Sequence, residues 1–328
     1  MDPRERIEAD ERARLAPRAR PSADSKGRDR EEAPDPLRTE YQRDRDRIVH
    51  SKAFRRLGHK TQVFLAPEGD HYRVRLTHTL EVTQIARTIA RALALNEDLV
   101  EAICLGHDLG HTPFGHLGEE VVADFHPGFR HNLQSVRIVE VLEDLNLTWE
   151  VRDGIANHTW SMPMPDTLEG QIARYADRIA YINHDIDDSI RAGVLSEEDL
   201  PRSTLGVLGR THAKRIQTMV SDLVVRSEGA DSIQMSPDVA EAMGETRKFL
   251  FDRVYLGLVA TATRESVQRI VLTLLEHYAE TAPPVEPADD GDPRQKAVDY
   301  VAGMTDRFAI RTFEDLLGTP SPGLTALG

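Results

Sequence analysis

Apolar residues recur at intervals of three and four through most of the chain from Tyr41 onward, and strict alternation is almost absent. That spacing turns one face of an α-helix inward and does not suit strands, whose side chains alternate with a period of two. In TLEVTQIARTIARALAL it places Leu80, Val82, Ile85, Ile89 and Leu93 on one side. The same pattern predicts helices over Glu97–Leu105, Ser135–Leu145, Gly170–Ala192, Thr211–Val225 and Phe249–Tyr278, with a last helical pair between Gln295 and Leu317. Only THAKRI and the stretch around Ser232 break the pattern, over too few residues for strands. The expected fold is all-α, many helices around an aliphatic core.

Residues 1–36 are rich in Arg, Glu, Asp, Pro and Ala with little to bury, which predicts a disordered or loosely docked charged tail. The core is expected over 37–280, followed by a proline-rich acidic loop (TAPPVEPADDGDP, 281–293). Helices and a tail over 294–328 are expected to pack on that core. The formal net charge of −14 repels a polyanion unless positive charge is locally concentrated, as it is in the cluster Arg43–Arg56. A lone cysteine, Cys104, excludes an internal disulfide and a cysteine-rich zinc site. No apolar run approaches the roughly 18 residues that a membrane span needs, and the charged opening MDPRERIEAD lacks a signal-peptide core. These features predict a cytoplasmic protein with no membrane partner.

One stretch fits a helical core poorly. Residues 106–116 read GHDLGHTPFGH, with three histidines and an aspartate among three glycines and a proline. Glycine weakens a helix and ionisable groups are costly to bury, so the composition asks for another use. His78 shares the apolar stripe of its own helix with Val82, Ile85 and Ile89 and therefore points inward. His107 and Asp108 stand where the next helix is broken by Gly110 and Pro113. On the helix EGQIARYADRIAYINHDIDDSIRAG, a stripe at Ile172, Tyr175, Ile179, Ile182 and Ile186 faces the core. Roughly opposite run Asp177, Tyr181, Asp185 and Asp188. Acceptors without an interspersed lysine suit metal coordination and hydroxyl binding better than a solvated face. Two histidines and two aspartates suit Mg²⁺ or a divalent first-row ion, and such an ion lowers the pKa of water bound to it. No P-loop or GxGxxG run is present.

The ordered set His78, His107–Asp108 and Asp177 resembles the H…HD…D signature of the HD superfamily of metal-dependent phosphohydrolases. The resemblance narrows to bacterial dGTPase-like deoxynucleoside triphosphate triphosphohydrolases through DRDRIVHSKAFRRLGHKTQVF (43–64), RLTHTLEV (75–82), LGHDLGHTPFGHLGEE (105–120), YADRIAYINHDIDD (175–188) and DYVAGMTDRFA (299–309). It implies a multi-helix HD fold and a divalent ion, Mn²⁺ or Mg²⁺, held by His78, His107, Asp108 and Asp177. It also implies His116 and Glu119 beside the scissile phosphate, one as acid or charge stabiliser and the other as orienting group or base.

By the same resemblance Gln62, Tyr181 and Asp185 meet the sugar. Arg75, one turn before His78, and Arg178, next to Asp177, suit phosphate oxygens; His111 is a candidate for a phosphate contact or a supporting position behind the ligands, and His131 for a phosphate or metal-water contact. The implied reaction converts a dNTP to deoxynucleoside and tripolyphosphate. The implied assembly is a homo-oligomer, a hexamer in some relatives. Rival readings are another HD phosphohydrolase (a nucleoside monophosphatase or cyclic-nucleotide phosphodiesterase), a nucleotide sensor, or a single-strand nucleic-acid-binding protein, the last disfavoured by net charge.

Overall fold

The computed structural model describes residues 1–62, 73–255, 261–285 and 291–319. Parts of the expected 249–278 helix (256–260), the acidic loop (286–290), the C-terminal tail (320–328) and the 43–64 block (63–64) lie outside the described residues. Every regular element described is helical, with a single isolated bridge between Thr61 and Val74. The fold is all-α. In chain order the helices are α1 (Pro3–Arg14), α2 (Glu40–His50), α3 (Lys52–Arg56), α4 (Arg75–Ala92), α5 (Glu97–Gly106), α6 (Gly115–Phe125) and α7 (His131–Arg137). They continue as α8 (Trp149–Asn157), α9 (Leu168–Arg191), α10 (His212–Ser227), α11 (Pro237–Leu250), α12 (Thr261–Thr281), α13 (Pro293–Ala302) and α14 (Asp306–Leu317). π-Helical segments interrupt the pattern at Ile138–Leu142, Thr204–Leu208 and Phe251–Tyr255.

The chain divides into two compact units, each gathered from three separate stretches. The first comprises 1–46, 80–105 and 147–259. Its central helix is α9, against which α8, α10 and α11 pack. Thr167 caps α9 by accepting the Gly170 N–H at 3.0 Å, satisfying one of the donors that a helix start leaves open. Ile172, Ile179, Ile182 and Ile186 are buried, but so are Asp185 and Asp188 on the other side. Asp185 and Asp188 are therefore removed from solvent, while Asp177 and Tyr181 on the same side are half-buried. On α4 the apolar stripe departs from the sequence reading at Leu80, which is exposed, while Val82, Ile85 and Ile89 are buried.

The charged N-terminal segment, expected as a loose tail, is built into this unit. Pro3 opens α1 behind a reciprocal cap between Asp2 and Glu5. Buried carboxylates then hold the chain that follows. Glu169 accepts the backbone N–H of Arg20, Glu150 those of Lys26 and the Ser25 hydroxyl, and Glu11 the N–H and hydroxyl of Ser22. Composition counted these charges as solvated, whereas the fold uses carboxylates as acceptors for otherwise unpaired backbone donors.

The second unit comprises 47–79, 106–146 and 260–328. Helices α6 and α13 pack on α12, and α14 adds Ala309, Ile310 and Phe313 to a core that includes Phe114, Val122, Val271, Leu274 and Val298. Asp292 and Pro293 start α13, and Thr305 starts α14 by accepting the Phe308 N–H.

Where α8 and α9 cross, two glycines face each other. A Cβ on Gly154 would sit 2.5 Å from the δ-carbon of buried Ile103. Gly154→Ala should lower stability by about 1–3 kcal/mol despite alanine's better helix propensity, and pairing it with Ile103→Val should recover part of the loss. Thermal unfolding of the two variants checks this.

Candidate active site

The site's histidines are gathered by the second unit. Arg75 and His78, three residues apart on the first turn of α4, share one side of the helix. The α4 start is fixed by the Arg75 N–H, which donates to the Lys60 carbonyl at 3.2 Å. His107 and Asp108 follow directly on the last residue of α5. One ligand atom from each of His78, His107 and Asp108 lies within 4.8 Å of the others, and all three residues are buried. Two imidazoles and one carboxylate that converge in this way fit a divalent ion with N/O preference. They are residues able to hold one here.

Asp108 is further oriented by Arg75, whose Nη1 donates to its Oδ2 at 2.7 Å. Burial by itself would raise the Asp108 carboxyl. His107, Arg75, His111 and His78 outweigh it and hold the group well below the usual carboxylate range. Arg75, expected as a phosphate contact, thus has one donor committed to a metal-ligand candidate, while its Nε has no partner among the described residues.

The glycines of residues 106–116 let other backbone come close. A Cβ on Gly110 would lie 2.2 Å from the Ser135 nitrogen and 2.5 Å from the His131 carbonyl oxygen on α7. Ser135 seals this contact by accepting the Gly110 N–H at 2.8 Å and donating to the His107 carbonyl at 2.8 Å. Phe114 and Gly115 both adopt left-handed backbone, at φ 62° and 59°, to turn the chain into α6. For Phe114 this costs about 1 kcal/mol, which its surroundings must offset. A Cβ on Gly115 would come 3.3 Å from the Gln62 carbonyl oxygen. Gln62 itself is 9% exposed, and its Oε1 is buried without a hydrogen-bond partner among the described residues.

The turn delivers His116 and Glu119 on α6. Glu119 engages His131 more closely than His116. Its Oε1 accepts the His131 backbone N–H at 2.9 Å and lies 2.9 Å from His131 Nδ1, whereas His116 Nδ1 is 3.8 Å from Oε2. The carboxylate therefore sits on the N-terminus of α7, where a negative charge is favoured. Burial raises the Glu119 carboxyl, but His131, His116 and His111 pull it well below its ordinary value. Burial depresses His131, and Glu119 more than compensates, leaving it raised. His111 stacks on His131 with ring centroids 4.5 Å apart. Burial, then Arg75 and His131, hold His111 well below its ordinary value, so its ring is neutral. His116 is exposed, with 58% of its side chain open to solvent.

Asp177, Arg178, Tyr181 and Asp185 lie on α9, in the first unit. Arg178 stacks on Trp160, 3.9 Å from the ring centroid, and burial pulls its guanidinium down to about 10. Burial and the nearby Asp185 raise the Tyr181 phenol. His184, on the same helix, pairs with Glu81 at 2.8 Å.

A model of the HD domain matches residues 75–182, and one of the phosphohydrolase-associated domain matches residues 233–315. A deoxyguanosinetriphosphate triphosphohydrolase-like protein of Caldanaerobacter subterraneus is 53% identical over 332 residues, covering 98% of this chain and 97% of the relative. The chain belongs to that family. A triphosphohydrolase-like relative from Desulfatibacillum aliphaticivorans is 47% identical over 98% of this chain and 99% of its own. A solved phosphohydrolase structure from Bacteroides thetaiotaomicron aligns with a TM-score of 0.52 at 18% identity, covering 81% of this chain and 68% of that one, a likeness of fold. The HD match contains every candidate site residue except Gln62 and Asp185.

Sequence reasoning passed over Lys60, Ser135, Trp160 and Glu81. Ser135 stands one helical turn after His131, a spacing that could have drawn attention to it. Lys60 gave no such sign. It is fully buried, donates from Nζ to the carbonyls of His111 and Ala302, and is pulled down to about 7 by burial and then by Arg75 and Arg56. The basic cluster Arg43–Arg56 is partly spent within the units. Arg43 pairs with Glu32 and Glu40, Arg45 with Asp46, and Arg47 donates to the carbonyls of Leu145 and Asn146.

The Glu119–His131 pair gives stability a pH signature. His131's share is complete below its ordinary value of 6.5 and is lost as pH rises through its raised value. Glu119's share is present above 4.5 and is lost as pH falls through its lowered value. In metal-free protein the melting-temperature advantage of wild type over Glu119→Gln should be widest between those limits. It should narrow as pH is taken from about 6 to about 9. An advantage unchanged across that range would count against a charged pair.

Proposed function

We propose that the protein hydrolyses a deoxynucleoside triphosphate to the deoxynucleoside and tripolyphosphate. The observation that carries this reading is the convergence of His78, His107 and Asp108 in a chain 53% identical to a deoxyguanosinetriphosphate triphosphohydrolase-like protein. Asp177 is assigned as the fourth metal ligand, and the ion as Mn²⁺ or Mg²⁺. When bound, such an ion polarises a phosphoryl oxygen and lowers the pKa of coordinated water.

The remaining assignments concern the chain's own side chains. Arg75 holds Asp108 ionised and in place while presenting its unpaired Nε toward phosphate oxygens. Arg178, stacked on Trp160, offers a second guanidinium. His111 and His131 are assigned to the phosphate chain, with neutral His111 able both to donate and to accept. His116, more than half open to solvent, is assigned to the leaving 5′-oxygen, and Glu119 orients the histidines around it. Gln62 Oε1, buried with no donor among the described residues, suits the 3′-hydroxyl. Tyr181 packs where a ribose 2′-hydroxyl would sit, and Asp185 completes the sugar contacts.

No helix described is long and apolar enough to cross a membrane. A cytoplasmic setting is proposed from the sequence features given above, and assembly into a homo-oligomer from the family resemblance.

Incubation with each dNTP and Mn²⁺ or Mg²⁺, followed by anion-exchange chromatography, should yield deoxynucleoside and tripolyphosphate in equal amounts. The His107→Ala/Asp108→Ala variant should lose activity by about 10³-fold or more, the equivalent of several kcal/mol. Diphosphate or orthophosphate as the only inorganic product would refute the assigned cleavage position and point to a different HD phosphohydrolase.

A further inference from the structure

The second unit contains a buried polar connection that the proposed reaction does not use directly. Asp306, the first residue of α14, is 7% exposed. Its Oδ1 accepts the Phe114 N–H at 2.9 Å, and its Oδ2 accepts both the N–H of Thr61, at 2.9 Å, and the Thr61 hydroxyl. Lys60, next to Thr61, donates to the His111 carbonyl and, at 2.8 Å, to the Ala302 carbonyl at the end of α13. Two side chains thus grip the short turn between His111 and Gly115 at both ends. One holds the last carbonyl before Thr112, and the other holds the amide of left-handed Phe114.

That turn has no capping side chain of its own, because Phe114 occupies the N-cap position of α6 and makes no side-chain cap bond. Asp306 satisfies an amide at that helix start from a distant part of the chain. The orientation of α6, and with it the placement of His116 and Glu119, depends on where this turn is pinned. A carboxylate with three donors on two oxygens fixes position more strictly than apolar packing, which tolerates sliding.

We propose that Asp306, assisted by Lys60, is a positioning residue that sets the 111–115 turn and thereby places His116 and Glu119 for reaction. The inference rests on the reading of this site as a dNTP triphosphohydrolase. It gives the segment 302–306, within the phosphohydrolase-associated match, a part in the chemistry without contact to substrate.

Asp306→Asn is the informative change, since an amide cannot accept on both sides. Its NH₂ must face either Phe114 or Thr61, donor against donor. The full-length variant should lose about 10- to 100-fold in kcat with KM for the dNTP changed by no more than about threefold. Its Mn²⁺ affinity by calorimetry should be unchanged, and deuterium uptake over residues 109–120 should rise under conditions where the protein remains folded. Ile310→Val, which trims the buried face of the same helix, serves as the control. It should lower the melting temperature without altering kcat or uptake in that segment.

Should Asp306→Asn not fold, Lys60→Gln, too short to bridge the two carbonyls, should show the same kcat and exchange signature. If the variant that folds merely melts earlier, with kcat and uptake like Ile310→Val, the positioning role is wrong and the connection only stabilises. If the wild type hydrolyses no dNTP, the functional reading fails, while deuterium uptake still decides whether Asp306 pins the turn.

Discussion

A carboxylate stays ionised inside a protein only where nearby positive charge outweighs the loss of water. Asp108 is such a group, and the arrangement around it follows from that requirement. Arg75 stands one turn before His78 on α4 and donates to Asp108, and His78 and His107 converge on the same carboxylate. An aspartate held in this state is ready to bind a cation without first losing a proton. Burial, then Arg75 and His131, hold the neighbouring His111 well below its ordinary value.

The turn from Gly106 to His116 shows a second constraint, that of backbone approach. Gly110 lies so near α7 that no side chain fits, Ser135 bonds across the contact, and Gly115 passes beside Gln62. Glycine is required at these points by distance or by positive φ, not by flexibility. The histidines could not be brought so close to one another along a regular helix. They are brought together because the chain folds tightly and is held by groups far away in sequence, Lys60 and Asp306 among them.

Much of this was legible in the sequence. Three-and-four spacing marked α4, α5, α9 and α10, and the inward face of α4 together with the HD pair picked out the residues whose ligand atoms converge. Legibility failed where meaning depends on long-range contact. Nothing local distinguishes buried Lys60 from an ordinary surface lysine, or the carboxylates that hold residues 20–26 from solvated charge. The close pairing of Glu119 with His131, twelve residues away in sequence, is likewise set by how α6 meets α7. The π-helical segment at Ile138–Leu142 cut short a helix that periodicity had extended to Leu145, because an apolar pattern reads nearly the same through a one-residue widening.

The interleaved threading of the two units bears on synthesis. The first is complete only once residue 259 has been made, and the second draws its core from α6, α12, α13 and α14, which lie as far apart as residues 115 and 317. A ribosome-bound chain therefore carries the histidine-rich turn for a long time before the segment that clamps it emerges. Such distant pairing slows folding and leaves apolar helix faces uncovered during translation. A polypeptide truncated ahead of α14 would have every metal-ligand candidate and Lys60, and yet lack Asp306, the other side chain that grips the turn.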